Sequence, residues 1–369
     1  MLHRLAAKRE ICRSFARMHR GPKPLSTPSN IAQPLPEPNL FHKAGEPGRN
    51  SPSHCHRNAT FSTVNLMRLL ALACLAAAPL LGQTALQRQV TSIAQDAQGT
   101  VAAACLLPGT TLNCDLHPRN HPPMQSMFKF PLGLTVLHLA DLGKLPGQHP
   151  GEPISTTLDR PLRFLPQDRI AKSFSPLTDR YPEANVDVPL RDLLTYAVGQ
   201  SDNGATDTLQ RIIGGPAVIQ AYIRSLLGNN AFQLQTGEQE MDKDLQAQYG
   251  NWIEPAAATR LLQLLVTDSP LKPDTNAFLV QVMTNSQTGA HRLRAGLPPG
   301  TPLAHKTGTS GVHGGIAAAT NDIGLITLPD GRHLAVAVYV TDARADEATR
   351  EAVIARIAHA AYTAALQTH

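Results

Sequence analysis

The tetrapeptide Ser126-Met127-Phe128-Lys129 opens a long apolar segment that runs to Leu142. We predict that this segment is a helix, and that it is buried because its body is apolar on all sides. Residues three apart on a helix share a face, so the pattern places the Lys129 amine within reach of the Ser126 hydroxyl. A serine hydroxyl becomes a good nucleophile when a neighbouring base removes its proton. The tetrapeptide therefore predicts a nucleophilic serine at the start of a buried helix.

A second motif, Ser201-Asp202-Asn203, follows this segment in the chain. The Ser201 hydroxyl can relay a proton to a leaving nitrogen, and the Asn203 amide can position both a substrate and Lys129. The motif is equally typical of a helix cap, because Ser, Asp and Asn all favour that position.

A third motif, Lys306-Thr307-Gly308-Thr309, lies in a predicted strand. Its lysine and two threonines offer a charge and hydroxyls that can hold a substrate carboxylate. Gly308 permits close approach of backbone or ligand, and the Thr309 backbone N–H can join that of Ser126 in an oxyanion hole. Alone, the motif could be a charged edge strand. Together and in this order, the three motifs predict a penicillin-recognising serine enzyme.

The first 85 residues differ in character from the rest of the chain. Residues 1–66 are rich in Pro, Arg and His, and we interpret them as a spurious or disordered N-terminal extension. From Met67, one arginine, an apolar run and a small-residue exit form the pattern of a secretory signal peptide over residues 67–85. We therefore expect translation to start at Met67 and the protein to be periplasmic or secreted. The alternative is a genuine extension with an internal membrane anchor.

The formal net charge of +5 has its source in the N-terminal part of the chain. Residues 1–66 hold 10 basic and 3 acidic residues, and the remainder after the signal peptide is slightly acidic. Charge therefore gives no reason to expect nucleic-acid binding. The histidines show no metal-ligand spacing, and we expect neither a metal nor a cofactor.

Cys105 and Cys114 flank a predicted turn at Pro108-Gly109. In an oxidising compartment they could form a disulfide across a hairpin. Because strand register cannot be read from sequence, two buried thiols are the open alternative.

Residues 86–369 can form one domain or two closely packed lobes. We predict an α+β fold, in which an antiparallel five-stranded sheet with packed terminal helices adjoins an all-α lobe. The α/β lobe covers about 86–124 and 285–369, and the all-α lobe about 125–284. Strand patterns occur at 99–105, 111–116, 302–309, 317–328 and 333–340. Helical patterns occur at 86–97, 126–142, 190–197, 203–213, 215–227, 253–266, 275–283 and 347–366.

The motifs and their surroundings resemble those of the class A serine β-lactamases, and most closely a divergent, extended-spectrum-like subgroup. The resemblance covers about 86–369 and rests on residues 123–131, 201–205, 304–310, 319–324 and 328–331. It implies the β-lactamase/transpeptidase-like fold, periplasmic export, and antibiotic resistance through hydrolysis of β-lactams by a serine acyl-enzyme. We expect small-molecule β-lactam substrates, water as the second nucleophile, and a monomer.

The family also has a glutamate on a long loop, which activates the deacylating water. In the predicted loop 228–248 the resemblance assigns this role to Glu238, and places Asp242 where the family usually has asparagine. Two carboxylates sharing one water would raise the pKa of one of them. Thr236 replaces an arginine that pins the loop in many members, so we expect the loop to be held differently. The alternative is that Glu238 and Glu240 are solvated loop charges.

Three further assignments follow from the resemblance. Arg292 matches an arginine that assists carboxylate binding in some members, or is a surface arginine. Phe174 matches an aromatic wall of the substrate cleft, or is a core anchor. Ser310, beside the carboxylate site, suggests tolerance of oxyimino-cephalosporins.

Two other functions use the same motifs. A D-alanyl-D-alanine peptidase or transpeptidase-like penicillin-binding protein would acylate but release the acyl group very slowly, and Glu238 argues against it. A β-lactam-binding sensor domain would need a transmembrane segment that residues 86–369 lack. Whether Lys129, Glu238 through water, or both take the Ser126 proton stays open at this level.

Overall fold

The computed structural model describes residues 83–149 and 151–368. The predicted extension over 1–66, and all but the last three residues of the predicted signal peptide, lie outside these residues. None of the helices in the described part of the chain combines the length and the apolar character of a membrane-spanning segment.

The α-helices follow one another along the described chain. They are α1 Ala85–Ala94, α2 Lys129–Asp141, α3 Ile154–Asp159, α4 Pro176–Arg180, α5 Leu190–Leu194, α6 Asn203–Ile213, α7 Pro216–Leu227, α8 Glu238–Lys243, α9 Pro255–Thr267, α10 Pro273–Thr284 and α11 Glu347–Leu366.

The strands lie mainly at the two ends of the described chain. They are β1 Thr100–Leu106, β2 Pro161–Phe164, β3 Val186–Pro189, β4 Phe232–Gln233, β5 Trp252–Ile253, β6 Leu303–Thr309, β7 Val312–His313, β8 Ile316–Thr327 and β9 His333–Ala343.

The main sheet has five antiparallel strands in the order β1-β9-β8-β6, with β7 paired to β8. This arrangement confirms the predicted α+β fold and its five-stranded antiparallel sheet. The region between β1 and β6 is mainly helical, and it also contains two short two-stranded sheets, β2-β3 and β4-β5, that the sequence analysis did not predict.

The strand predicted at 111–116 is wrong, and β7 is the fifth strand instead. Only Leu116 pairs with Ala103, through two backbone hydrogen bonds. The side chains of Thr110 and Asn113 bond to nearby backbone groups, which offers this segment a local alternative to a ladder.

Cys105 and Cys114 are joined by a disulfide that links the end of β1 to this irregular segment. Both residues are buried, and they belong to the apolar cluster that the sheet forms with α1 and α11. The structure thus takes the paired form of the two that the sequence left open.

Strand β9 shows why the sheet is covered on both faces. Val336 and Val338 pack in one apolar cluster with residues of α1 and α11. Ala337 and Tyr339 pack in a second cluster with the helices of the middle region, which is the chain between β1 and β6. Because side chains alternate across a strand, an almost unbroken apolar strand must be buried on both sides.

The helix predicted at 126–142 begins three residues late. A 3-10 turn, Gln125–Phe128, carries Ser126 and leads directly into α2 at Lys129. The predicted loop 228–248 contains the short helix α8, which begins at Glu238. Ser126 therefore lies in the turn that leads into α2, and Glu238 is the first residue of α8.

Candidate active site

Ser126, Lys129 and Glu238 converge on one oxygen atom. Glu238 Oε1 lies 3.5 Å from Ser126 Oγ and 2.9 Å from Lys129 Nζ. Lys129 is fully buried and Glu238 nearly so. In the described part of the chain no direct hydrogen bond joins Ser126 to Lys129. The serine and lysine of the first motif are therefore connected through the glutamate.

The Lys129 ammonium has two further acceptors. Its Nζ donates to the Ser201 carbonyl oxygen at 2.7 Å and to Asn203 Oδ1 at 2.5 Å. With Glu238, these acceptors use all three of its N–H donors. Asn203 in turn donates from Nδ2 to Ser173 Oγ at 2.6 Å. The second motif thus orients the lysine of the first.

Asp202 is the cap of α6, so the motif Ser201-Asp202-Asn203 serves both of its predicted roles. The Asp202 carboxylate accepts from the backbone N–H of Ala205 and of Leu177, and from the Ser175 hydroxyl. Burial raises the pKa of this carboxyl. These bonds tie the start of α6 to the segment that carries Phe174.

Ser201 stands between two lysines in an unusual backbone conformation. Its φ of 65° is left-handed, which is strained for a residue with a side chain. Its Oγ accepts from Lys306 Nζ at 2.9 Å. Burial, followed by the positive charge of Lys129, lowers the pKa of Lys306 well below its ordinary value. With this backbone conformation, the Ser201 hydroxyl bonds to Lys306 and the Ser201 carbonyl oxygen bonds to Lys129.

Strand β6 presents the third motif beside the nucleophile. Thr307 Oγ1 pairs with Thr288 Oγ1 at 2.7 Å, and Thr309 Oγ1 accepts from Arg292 at 2.8 Å. A Cβ on Gly308 would stand 2.1 Å from the Met124 carbonyl oxygen. Only glycine at this position lets the segment before Ser126 reach the strand.

Arg292 is a buried part of this region and not a surface arginine, with 4% of it exposed. Its guanidinium pairs with Glu351 on α11 and donates to the carbonyl oxygens of Gly308 and Asn321. The contact with Thr309 puts it at the predicted carboxylate site. Ser310 is bound to the neighbouring strand, since its Oγ accepts from the Ala319 N–H at 2.9 Å.

Asp207 is a functional candidate that the sequence analysis missed. Its two carboxylate oxygens accept from the backbone N–H groups of Glu238 and Gln239, at 3.0 and 3.1 Å. Burial, and next the charge of Glu238, raise the pKa of Asp207 to about 7. The available signal was its spacing of four residues from Asn203, which puts both on one face of α6.

Asp242 differs from Glu238 in its exposure to solvent. Asp242 is exposed, and no hydrogen bond or ion pair among the described residues joins it to Glu238. Within α8, Glu238 and Met241 are the buried residues. The second carboxylate near Glu238 is that of Asp207.

Asn251 holds the neck of the loop that carries α8. Its Oδ1 accepts from the backbone N–H of Gln235 and Thr236, and its Nδ2 donates to the carbonyl and hydroxyl oxygens of Thr236. These bonds are how the loop is held where Thr236 replaces the family's arginine.

Phe174 is 60% exposed, which excludes the core-anchor alternative. Its carbonyl oxygen accepts from the Asn203 N–H at 3.1 Å, so the exposed ring lies next to the second motif.

No group of three or more His, Cys, Asp or Glu side chains within residues 83–149 and 151–368 could hold a metal ion. The described site brings together the Ser126 hydroxyl, the Glu238 carboxylate and the amino groups of Lys129 and Lys306.

Comparison with known proteins agrees with this geometry. A family model described as the β-lactamase enzyme family matches residues 85–365. The extended-spectrum β-lactamase PER-1 of Pseudomonas aeruginosa is 37% identical over 277 residues, which are 75% of this chain and 86% of PER-1. The β-lactamase VEB-1 of the same organism is 35% identical over 243 residues, or 64% of this chain and 76% of VEB-1.

Solved structures show the same likeness. A β-lactamase from Chitinophaga pinensis has a TM-score of 0.70 and 38% identity, and the match covers 76% of this chain and 100% of that one. The TLA-1 extended-spectrum β-lactamase has a TM-score of 0.69 and 34% identity, covering 75% and 97%. On the family match, these relatives and the converging motifs, the chain belongs to the β-lactamase enzyme family and is a class A serine β-lactamase.

Proposed function

We propose that Ser126 is the nucleophile with which this enzyme hydrolyses β-lactams, and that Glu238 activates the water that releases the acyl group. The observation that carries the proposal is the Glu238 carboxylate oxygen between Ser126 Oγ and Lys129 Nζ, at 3.5 and 2.9 Å. A base must lie near the proton that it removes, and this oxygen is near both the hydroxyl and the ammonium.

Acylation begins when Ser126 Oγ attacks the lactam carbonyl and its proton passes to Glu238. The Lys129 ammonium, 2.9 Å from Glu238 Oε1, stabilises the negative charge on Glu238 and Ser126 during this transfer. The backbone N–H groups of Ser126 and Thr309 hold the oxyanion. As the ring C–N bond breaks, Ser201 gives its proton to the ring nitrogen and takes another from the Lys306 ammonium, 2.9 Å from its Oγ. The proton on Glu238 then returns to Lys306 through solvent, which restores the carboxylate for hydrolysis.

The substrate carboxylate binds at β6, on the charge and hydroxyls of its motif. Lys306, Thr307 and Thr309 supply these groups, and Arg292 adds a second positive charge through its contact with Thr309. Asn203 and the exposed ring of Phe174 border the opposite side of the substrate.

Hydrolysis of the acyl-enzyme is what separates this enzyme from a penicillin-binding protein. Glu238 is buried at the start of α8, with its backbone fixed by Asp207. A carboxylate held in this way can take a proton from water at the ester, whereas a solvated loop charge could not. The observation therefore favours turnover over a long-lived adduct.

The relatives' names include extended-spectrum β-lactamases, and we extend this breadth to the present enzyme as part of the proposal. We also propose that it acts as a monomer, without metal, cofactor or nucleic acid, and gives its host resistance to β-lactams. Export from Met67 is supported by the disulfide between Cys105 and Cys114, since such bonds persist in oxidising compartments.

Ser126→Ala tests the nucleophile. The variant should form no covalent adduct with a penicillin in a mass spectrum, while the wild-type enzyme turns over the chromogenic cephalosporin nitrocefin. Thr110→Ala, in the irregular segment beyond β1, is the matched loss of a hydroxyl and should leave turnover intact. Residual labelling of Ser126→Ala would exclude Ser126 as the nucleophile.

A further inference from the structure

The peptide group between Pro123 and Met124 is held at both of its polar atoms. Its N–H donates to the Asn251 carbonyl oxygen at 2.8 Å. Its C=O accepts from Asn321 Nδ2, also at 2.8 Å. A peptide group fixed at both ends of its dipole cannot rotate about its flanking bonds without breaking a hydrogen bond.

This peptide group sets the direction of the chain that presents Ser126. Gln125, between Met124 and the serine, has a φ of 48°, which is a left-handed conformation that a residue with a side chain adopts only when its surroundings enforce it. The enforcement comes from the sheet on one side and the loop neck at Asn251 on the other.

Asn321 reaches this peptide group because of its partner in the sheet. It lies on β8 directly opposite Gly308 on β6. Opposite residues of an antiparallel pair project to the same face, and Gly308 leaves that face open to the Met124 carbonyl oxygen. The Asn321 side chain then extends over the gap to Pro123, and it is fully buried there.

The same residue also contacts the carboxylate site. The Asn321 backbone oxygen accepts from Arg292 at 3.0 Å, and Arg292 donates to Thr309. Asn321 is thus bonded through its side chain to the nucleophile segment and through its backbone to the carboxylate-binding arginine.

A role in general packing does not explain the amide. Within the described residues Asn321 Oδ1 is buried without a hydrogen-bond partner, which is unfavourable for stability. An apolar side chain of the same size would avoid that unpaired oxygen, but it could not hold the Pro123 carbonyl.

We propose that Asn321 is a positioning residue for acylation, which acts by fixing the Pro123–Met124 peptide group and so the direction of Ser126 Oγ and of the Ser126 backbone N–H. The inference rests on the proposed role of Ser126. Asn321 does not touch the substrate, and its effect is on the rate of the chemical step.

The test is single-turnover acylation by Asn321→Leu, with enzyme in excess over nitrocefin. Leucine has nearly the same shape but no donor. Because small displacements of a reacting group reduce rates steeply, we expect the acylation rate constant to fall about ten- to a hundredfold. The thermal midpoint should change little, since one unpaired oxygen is lost as another is created.

Thr320→Val is the matched control. Thr320 is the buried neighbour of Asn321 on β8, and its hydroxyl bonds to Arg350 and not to the nucleophile segment. It should lower stability and leave the acylation rate constant of the folded enzyme within about twofold of the wild type. If Asn321→Leu does not fold, Asn321→Ser, whose hydroxyl is too short to reach Pro123, replaces it under the same criteria.

Acylation by the Asn321 variant at the wild-type rate, or an equal fall in both variants, would overturn the inference. A failure of the underlying mechanism is distinguishable, because it would show as adduct formation by Ser126→Ala.

Discussion

At the scale of single residues, Asp207 and Glu238 affect each other both through hydrogen bonds and through charge. Asp207 accepts both backbone N–H groups at the start of α8, and it lies close enough for the Glu238 charge to contribute to its raised pKa. One carboxylate thus fixes the backbone of the other while opposing its charge.

The raised pKa of Asp207 predicts a specific pH dependence of stability. Folding raises the pKa from the ordinary 3.8 to about 7, so between these values the folded protein binds a proton that the unfolded chain does not. The resulting stability is fully present below the lower value and is lost as pH rises through about 7. Denaturant unfolding at pH 5 and pH 8 measures the slope, which should become less steep in Asp207→Asn.

Asp242→Asn is the control for this prediction. Asp242 is an exposed carboxylate on the same short helix, so its loss should leave the slope unchanged. The same slope in the wild type and Asp207→Asn would show that Asp207 does not titrate in this range.

The limits of sequence reasoning are clear at this scale. Ser126, Ser201 and Lys306 belong to motifs, and their convergence followed from motif order alone. Asp207 belongs to no motif, and its role depends on a loop that returns to α6 after the whole of α7.

At the scale of elements, caps decided which boundaries could be predicted. The predicted limits of α6 and α11 agree with the structure, because Asp202 and Asp346 accept the first free N–H groups. Gly214, in a left-handed conformation, ends α6. The segment 111–116 carried a strand pattern, but its own side chains competed for the backbone. Propensity alone could not predict that competition.

The disulfide gives the second prediction. In the chain-entropy account, closing a loop of this length stabilises the folded state by about 2–3 kcal/mol. Cys105→Ser with Cys114→Ser should therefore lower the free energy of unfolding by that order, with nitrocefin turnover retained at moderate temperature. Denaturant unfolding with and without reductant measures it. Reductant should destabilise the wild type alone, and an equal response of both proteins would contradict the assignment.

At the scale of the whole molecule, the site lies where β6 meets the helices of the middle region. Ser126 and Lys129 come from the start of α2, Ser201 and Asn203 from the start of α6, Glu238 from α8 and Lys306 from the sheet. Several element ends thus meet at one site. The sequence indicated these members of the set, but their distances depend on packing that no local pattern contains.

The third prediction concerns the extent of the catalytic unit. We expect residues 83–369 to fold and to turn over nitrocefin with the same kcat as the full chain, since α1 is capped by Thr84 and the family match begins at residue 85. N-terminal sequencing of the exported protein should find no residue before Met67. A catalytic requirement for residues 1–82, or a mature chain that retains them, would contradict the proposed organisation.

The most direct test of the mechanism is intact-protein mass spectrometry of Glu238→Gln after exposure to a penicillin, with Asp242→Asn as control. Loss of a general base slows the step that it serves by about 10²–10⁴-fold. Glutamine retains the size of the side chain. Glu238 serves both steps, but Lys129, one helical turn from Ser126, can take the serine proton when the carboxylate is lost, so slowed acylation should remain while hydrolysis of the acyl-enzyme fails. We predict that Glu238→Gln accumulates one covalent adduct on Ser126 and that Asp242→Asn, like the wild type, clears it. Adduct-free Glu238→Gln with wild-type turnover would contradict the assignment of Glu238 as the base.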